Sequence, residues 1–115
     1  MKHSRLTPQG RFFWHTPTLW KKAEGLPVKM LKIDSILEFD QNCWFSADDP
    51  PTCKRVAQHA KRIFNADLSY PIILSSAGLL MDGGHRISKA WLAGETYIRA
   101  VQFEVDPEPD WIVPE

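Results

Sequence analysis

The most informative stretch of the chain is LMDGGHRISKAWLAG, residues 80–94. Its first residues are strand-like and are followed by two consecutive glycines. Ile87, Ala90 and Trp91 then recur at helical spacing. Gly94 stands where helices often end in a left-handed residue. We therefore predict a strand, a tight turn and a helix whose buried stripe contains those three apolar side chains.

Strand-like segments flank this stretch on both sides. Residues 70–74 and 79–81 surround the turn sequence SSAG, which predicts a β-hairpin. Residues 97–105 alternate between apolar and polar side chains, which predicts a further strand. The residues expected to face inward from it are Tyr97, Val101, Phe103 and Val105.

A second helix is predicted just after residues 49–51, Asp-Pro-Pro. Asp49 is expected to be its N-cap, because a residue before proline favours extended backbone. Apolar residues at steps of three and four form one stripe, made of Cys53, Val56, Ala57, Ala60, Ile63 and Phe64. The other face is basic, and we expect it either to be solvated or to meet phosphates; it carries Lys54, Arg55, His59, Lys61 and Arg62.

The chain divides into an arm, a core and a tail. Residues 1–27 are an aromatic arm interrupted by prolines, with a short helix beginning near Thr16. We expect this arm to fold back on the core, or else to stay loose and bind a protein partner. The core spans residues 28–105, and the Pro-rich tail, 106–115, is expected to dock as a clasp. The order of elements predicts an α+β fold with a small mixed sheet and two main helices.

Size and charge exclude several classes of protein. A chain of 115 residues has room for one domain. Fourteen basic and fourteen acidic residues cancel, so the long-range attraction to nucleic acid or anionic membrane is weak. No apolar run of membrane-spanning length or secretory signal is visible, so we expect a cytoplasmic protein. Cys43 and Cys53 match no zinc pattern and are interpreted as free thiols.

The turn at residues 82–86, Asp-Gly-Gly-His-Arg, is where the sequence indicates chemistry. The first turn of a helix has unpaired N–H groups, and glycines allow a phosphate to approach the backbone. Arg86 offers a planar cation and His85 a hydrogen-bond or proton-transfer group. Asp82 is expected to cap the helix, hold a metal ion or accept a proton from a substrate hydroxyl.

Residues 71–103 resemble the ParB/sulfiredoxin superfamily. The likeness lies in the Pro-containing strand, the Gly-x-x-Arg turn, the Ala-containing helix ending at Gly94 and the closing strand. The order of elements extends it to residues 28–105. The resemblance implies that Gly83, Gly84, His85 and Arg86 bind the phosphates of ATP or CTP, with Mg²⁺ accompanying the nucleotide.

This chain differs in sequence from individual branches of that superfamily, and the differences argue against some of their functions. Sulfiredoxins have a reactive cysteine where this chain has Gly84, so we expect no sulfinic acid reduction. Chromosome-partition ParB proteins have arginine at the position of His85 and continue into a DNA-binding domain, so DNA binding by this domain alone is not expected. The turn is most similar to those of free-serine kinases and stand-alone ParB-like nuclease domains. The kinase branch implies that Asp82 orients a hydroxyl and that Glu38, with Asp40 nearly as good, acts as base.

Three functions are compatible with these residues. The first is nucleoside triphosphate binding, with hydrolysis or transfer of phosphate to a small hydroxyl compound, using Asp82, His85 and Glu38. The second is a non-catalytic module in which the nucleotide switches the arm between docked and free. The third is a DNA-associated accessory domain or nuclease, which would need a metal site of several carboxylates.

Overall fold

A computed structural model describes residues 2–114. Within them it contains three α-helices and two sheets, of three and four strands, so the α+β prediction is confirmed. The strands are β1 (Lys2–Thr7), β2 (Gly10–His15), β3 (Lys29–Lys32), β4 (Ile72–Leu74), β5 (Leu80–Asp82), β6 (Tyr97–Gln102) and β7 (Trp111–Val113). The helices are α1 (Thr16–Ala23), α2 (Cys53–Asn65) and α3 (Gly84–Leu92). No helix among residues 2–114 is long and apolar enough to cross a bilayer.

The four-stranded sheet is mixed, as predicted. Its order is β3-β6-β4-β5; β4 and β6 are parallel, and the other pairs are antiparallel. The hairpin of β4 and β5 forms around the predicted turn. Ile87 and Ala90 of α3 pack against one face of this sheet, together with Ile72 and Ala100. The start of α3 therefore lies at the end of β5, where its backbone donors are held by a rigid sheet.

The arm folds back on the core. β1 and β2 form a hairpin, and β7 pairs with β2 as the expected clasp. Trp14 and Leu19 are fully buried, and they pack with Val101 and Phe103 on the second face of the four-stranded sheet. The arm thus covers the second face of the sheet with Trp14, Leu19 and Ala23, and its aromatic residues form a hairpin that the proline pattern did not predict.

The inward set expected for β6 was partly wrong. Val101 and Phe103 are buried, but Tyr97 is 51% exposed and Val105 is 81% exposed. Ile98 is buried instead, because the arm and α3 cover opposite faces of the sheet. Both faces are apolar, so simple alternation does not describe the strand. Val105 lies beyond the end of β6.

The orientation of α2 also differs from the prediction. Its N-cap is Thr52, whose Oγ1 accepts from the Arg55 amide, and not Asp49. The expected buried stripe is largely open: Val56 is 48% and Phe64 79% exposed. The buried residue of α2 is His59, because α2 packs against α3 through that edge. On α3, Ile87 and Ala90 are buried as expected, whereas Trp91 is 55% exposed.

Candidate functional site

A cleft of about 570 Å³ opens at the start of α3. The arm, β5, the loop before α2 and α2 itself contribute its walls. Every site residue predicted from the sequence lines it; these are Glu38, Asp82, Gly83, Gly84, His85 and Arg86. Asp40, the alternative to Glu38, does not line it. The fold therefore brings Glu38 to the Asp-Gly-Gly-His-Arg turn across more than forty residues of sequence.

Packing explains the first glycine of the turn. Gly83 has φ +127°, and a Cβ there would overlap the Cγ2 of Ile72. A Cβ on Gly84 would lie 3.2 Å from the Nε1 of Trp44, so the indole would have to shift by a few tenths of an ångström. Gly83 is thus needed for the turn to approach β4 whatever the cleft binds, and Gly84 allows the Trp44 indole to pack closely on the turn.

Asp82 does not cap α3. The N-cap is Gly83, which has no side chain to make a capping bond, so the capping alternative for Asp82 was wrong. Instead the Asp82 carboxylate accepts hydrogen bonds from Arg86 Nη2 and, at 2.8 Å, from Trp20 Nε1. Arg86 Nη1 donates to the Pro71 carbonyl at 3.1 Å. Both sides of the guanidinium fork are therefore already bonded to protein.

Glu38 is fixed at the edge of the cleft by backbone contacts. Its Oε2 accepts a hydrogen bond from the Leu80 amide at 3.1 Å. The Cys43 thiol lies beside it and donates to the Glu38 carbonyl at 3.3 Å. Burial, and then the negative charge of Glu38, raise the pKa of Cys43. This thiol is therefore protonated at neutral pH and is not an activated nucleophile. Both cysteines are free, as expected.

His85 lies in a stack of rings. The Trp44 indole covers it at 4.5 Å between centroids and covers His59 at 4.8 Å, with near-parallel planes in both cases. The two imidazoles are joined by a 2.8 Å contact between His59 Nδ1 and His85 Nε2. Burial, followed by the charges of His59 and Arg62, lowers the pKa of His85 to about 4. At neutral pH His85 is uncharged and serves as a hydrogen-bonding group.

Hydrogen-bond donors without acceptors converge on the start of α3. The amides of Gly84, His85 and Arg86 have no acceptor within residues 2–114, as the first turn of a helix requires. In the same part of the chain, the Trp44 indole N–H and the Arg62 guanidinium also have no protein acceptor, and Arg62 makes no ion pair.

The carboxylates of the cleft are, in contrast, already bonded. Asp82 has Arg86 and Trp20, and Glu38 has the Leu80 amide. Asp67 accepts from the amide and hydroxyl of Ser69, which hold its pKa below the ordinary value. Each of these carboxylates is bonded through one of its two oxygens. The donors at the start of α3 suit a ligand rich in acceptor oxygens.

His3, Trp44 and Arg62 line the cleft but were not among the sequence candidates. His59 was not a candidate either; it contacts His85 without lining the cleft. Trp44 belongs to the polar, aromatic connection before α2, and this feature indicates a site wall. His59 and Arg62 belong to the basic face of α2, where phosphate contact was one of the two expectations. The burial of His59, only 4% exposed, had no sequence signal. His3 comes from β1; burial, and then the charge of Arg5, lower its pKa against the opposing effect of Asp82 and Glu38.

No protein-only magnesium site is formed among residues 2–114. No three His, Cys, Asp or Glu side chains in this range come together as metal ligands. Asp82, for which metal binding was one of three alternatives, is bonded through Oδ2 to Arg86 and Trp20. In comparisons with known proteins, no family model, curated protein or solved structure matches the chain. The superfamily resemblance therefore stays a prediction made from the residues.

Proposed function

We propose that the chain binds a nucleoside triphosphate, ATP or CTP, with its phosphates at the start of α3. The observation that carries this proposal is the group of donors in the cleft that have no protein acceptor. They are the amides of residues 84–86, the Trp44 indole and the Arg62 guanidinium. Phosphate oxygens supply several acceptors and negative charge at the positive end of a helix dipole.

The charges of the cleft support an anion held by local contacts. Arg86 neutralises Asp82 within their ion pair, which removes the repulsion that this carboxylate would exert on phosphate. Arg62 is then a cation without a carboxylate partner among the described residues. In the superfamily resemblance, Gly83, Gly84, His85 and Arg86 hold phosphates. We keep that assignment, with Arg86 contributing its backbone amide because its guanidinium is bonded to Asp82 and Pro71, and add Arg62 from the opposite wall.

Whether phosphate is also transferred or hydrolysed depends on Glu38. Its Oε2 is bonded to Leu80, which leaves Oε1 to accept a proton from a hydroxyl or a water. Arg86 and Trp20 both bond Oδ2 of Asp82, so Oδ1 of Asp82 also has no protein donor among the described residues, and Asp82 is the alternative acceptor. We propose that any Mg²⁺ arrives bound to the phosphates, and that the reaction takes place in the cytoplasm. Phosphate release, measured with and without small hydroxyl compounds, separates transferase, hydrolase and passive binder.

A non-catalytic, nucleotide-responsive module is the second candidate. One observation favours it: Trp20 of α1, which belongs to the arm, donates directly to Asp82 at the turn. A ligand that draws Asp82 or Arg86 into new contacts would change how α1 packs against the turn. Unchanged nucleotide after long incubation, together with altered Trp fluorescence on binding, would favour this candidate over an enzyme.

The experiment that tests binding is a thermal-shift panel of ATP, CTP, GTP and ADP with and without Mg²⁺. A ligand at 100 times its Kd stabilises the fold by about 2.7 kcal/mol, which is several degrees in Tm for a domain of this size. At least one triphosphate should give this shift. No shift with any nucleotide at millimolar concentration would overturn the proposal.

A matched pair of variants on α2 locates the ligand. Arg62 lines the cleft, whereas its neighbour Lys61 is exposed and does not line it. Loss of one charge-assisted bond costs about 1.5–3 kcal/mol, so Arg62→Ala should weaken binding by roughly 10- to 100-fold. Lys61→Ala should leave the affinity within about twofold, since a distant exposed charge is screened by salt. Equal affinities for the two variants would place the ligand elsewhere.

A further inference from the structure

His85 is connected to the far side of α2 by an unbroken chain of polar contacts. Arg55 donates through Nε and Nη2 to the Asp49 carboxylate, each at 2.8 Å. The same Nη2 lies 3.3 Å from Nε2 of His59, and Nδ1 of His59 lies 2.8 Å from Nε2 of His85. His59 is 4% exposed and does not line the cleft.

In this series of polar contacts, each hydrogen bond can be donated in one direction only. A guanidinium has five N–H donors and no acceptor, so Nε2 of His59 must accept from Arg55. In a neutral imidazole the other nitrogen then carries the proton. Burial and the charges of Arg55 and Arg62 lower the pKa of His59, which keeps its ring neutral. Nδ1–H of His59 therefore donates to Nε2 of His85.

The same argument fixes the proton of His85. Its Nε2 accepts from His59, so its own proton lies on Nδ1. Nδ1 has no protein partner within residues 2–114, and no buried side-chain nitrogen or oxygen in that range lacks one. Nδ1 is therefore open to solvent, and His85 lines the cleft. The remaining charges around the ring are Arg62, Asp82 and Arg86, which all border the same cleft.

We propose that His59 is a positioning residue that holds His85 in the Nδ1–H tautomer, so that His85 presents one neutral donor to the ligand of the cleft. Arg55 sets the tautomer of His59, and Trp44 keeps the two rings nearly parallel by stacking on both. The identity of the ligand as a phosphate rests on the proposed function. The tautomer itself rests only on the contacts between Arg55, His59 and His85.

The tautomer is measured directly by ¹⁵N NMR of the imidazole rings in the nucleotide-free wild-type protein at pH 7. The expected spectrum shows a protonated Nδ1 and an unprotonated Nε2 for His85, with the same assignment for His59. A protonated Nε2 on His85, or rapid exchange between its two tautomers, would overturn the proposal without any variant having to fold.

Three variants then separate positioning from packing. His59→Leu removes the donor, His59→Asn places an amide N–H near the former Nδ1, and Arg55→Gln on the surface of α2 removes the guanidinium that orders His59. His59→Leu and Arg55→Gln should give mixed His85 tautomers and lower ATP affinity by roughly 2- to 10-fold, the worth of one neutral hydrogen bond. His59→Asn should restore both, and His15→Leu in β2 is the control that should change neither.

The outcomes distinguish this proposal from the proposed function. Nδ1–H on His85 in a protein that binds no nucleotide would leave the positioning role intact and overturn the nucleotide site. Nucleotide binding together with an unchanged His85 tautomer in His59→Leu would support the nucleotide site and overturn the positioning role. Affinity lost equally in His59→Leu and His59→Asn would show that His59 acts through packing, and would overturn the positioning role.

Discussion

The ion pair between Asp82 and Arg86 leads to the sharpest stability prediction. The two side chains are only 12% and 14% exposed, so neither charge is well solvated. Arg86→Ala removes the bonds to Asp82 and to the Pro71 carbonyl, and it leaves the carboxylate with Trp20 as its one remaining partner among the described residues. Breaking a buried pair from one side costs about 3–5 kcal/mol. The residual exposure favours the lower end, about 3 kcal/mol.

Urea unfolding followed by Trp fluorescence measures this cost. Asp82→Asn should cost less, since an amide still accepts from Trp20. The double variant Asp82→Asn/Arg86→Ala should cost less than the sum of the single variants, with a coupling of about 1–3 kcal/mol for groups in direct contact. An Arg86→Ala protein within about 0.5 kcal/mol of the wild type, the range of ordinary surface substitutions, would refute a structural role for the pair.

This prediction changes how binding data for Arg86 must be interpreted. From its position after Gly-Gly-His in the sequence, Arg86 is expected to have a free guanidinium that binds phosphate. Its guanidinium is instead bonded to Asp82 and Pro71, so lost nucleotide binding in Arg86→Ala can follow from a distorted turn. Arg62, which has no such bonds among the described residues, is the better test of phosphate contact.

Three further predictions concern stability. Lowering the pH from 7 to 4 should cost about 1–2 kcal/mol of unfolding free energy through His85, after discounting for its partial exposure. The reason is that the unfolded ring takes up a proton near pH 6.5 and the folded ring only near pH 4. If the unfolding free energy of the wild type and of His85→Asn, measured in urea, changed with pH in parallel, this prediction would be contradicted. Gly83→Ala should cost about 2–4 kcal/mol through backbone strain at φ +127° and overlap with Ile72, against about 1 kcal/mol for Gly94→Ala, which has open space at φ +81°. Equal unfolding midpoints would refute this combination of strain and overlap. Leu19→Ala should cost about 2–5 kcal/mol if the arm is part of the core, and a near-neutral result in the same assay would show that it is not.

The sequence predicted the elements around residues 70–94 well, because turn chemistry there is local. Gly94 adopts the expected left-handed conformation at φ +81° and follows the end of α3. Orientation was harder to predict. The apolar stripe of α2 faces outward at Phe64, because the stack of Trp44 on two histidines sets which edge packs. Which face of a helix is buried depends on contacts between residues that are distant in sequence, and the periodicity of apolar residues does not predict those contacts.

The candidate site, like the fold, could be predicted only in part. Glu38 and residues 82–86 line one cleft, and their roles there stay a prediction. The partners of these residues were not predictable. Nothing local indicates that Trp20 bonds Asp82, or that His59 on the basic face of α2 is buried against His85. Those partners are what make Asp82 a structural acceptor and His85 a neutral donor.

A titration of the ¹⁵N-labelled protein with Mg²⁺-ATP and Mg²⁺-CTP tests the central claim most directly. The account predicts saturable shifts for at least one nucleotide, largest at the amides of Gly84, His85 and Arg86 and at the Trp44 indole N–H, because these donors gain phosphate acceptors. Saturable binding that leaves those four signals unmoved, or no binding of either nucleotide, would contradict it.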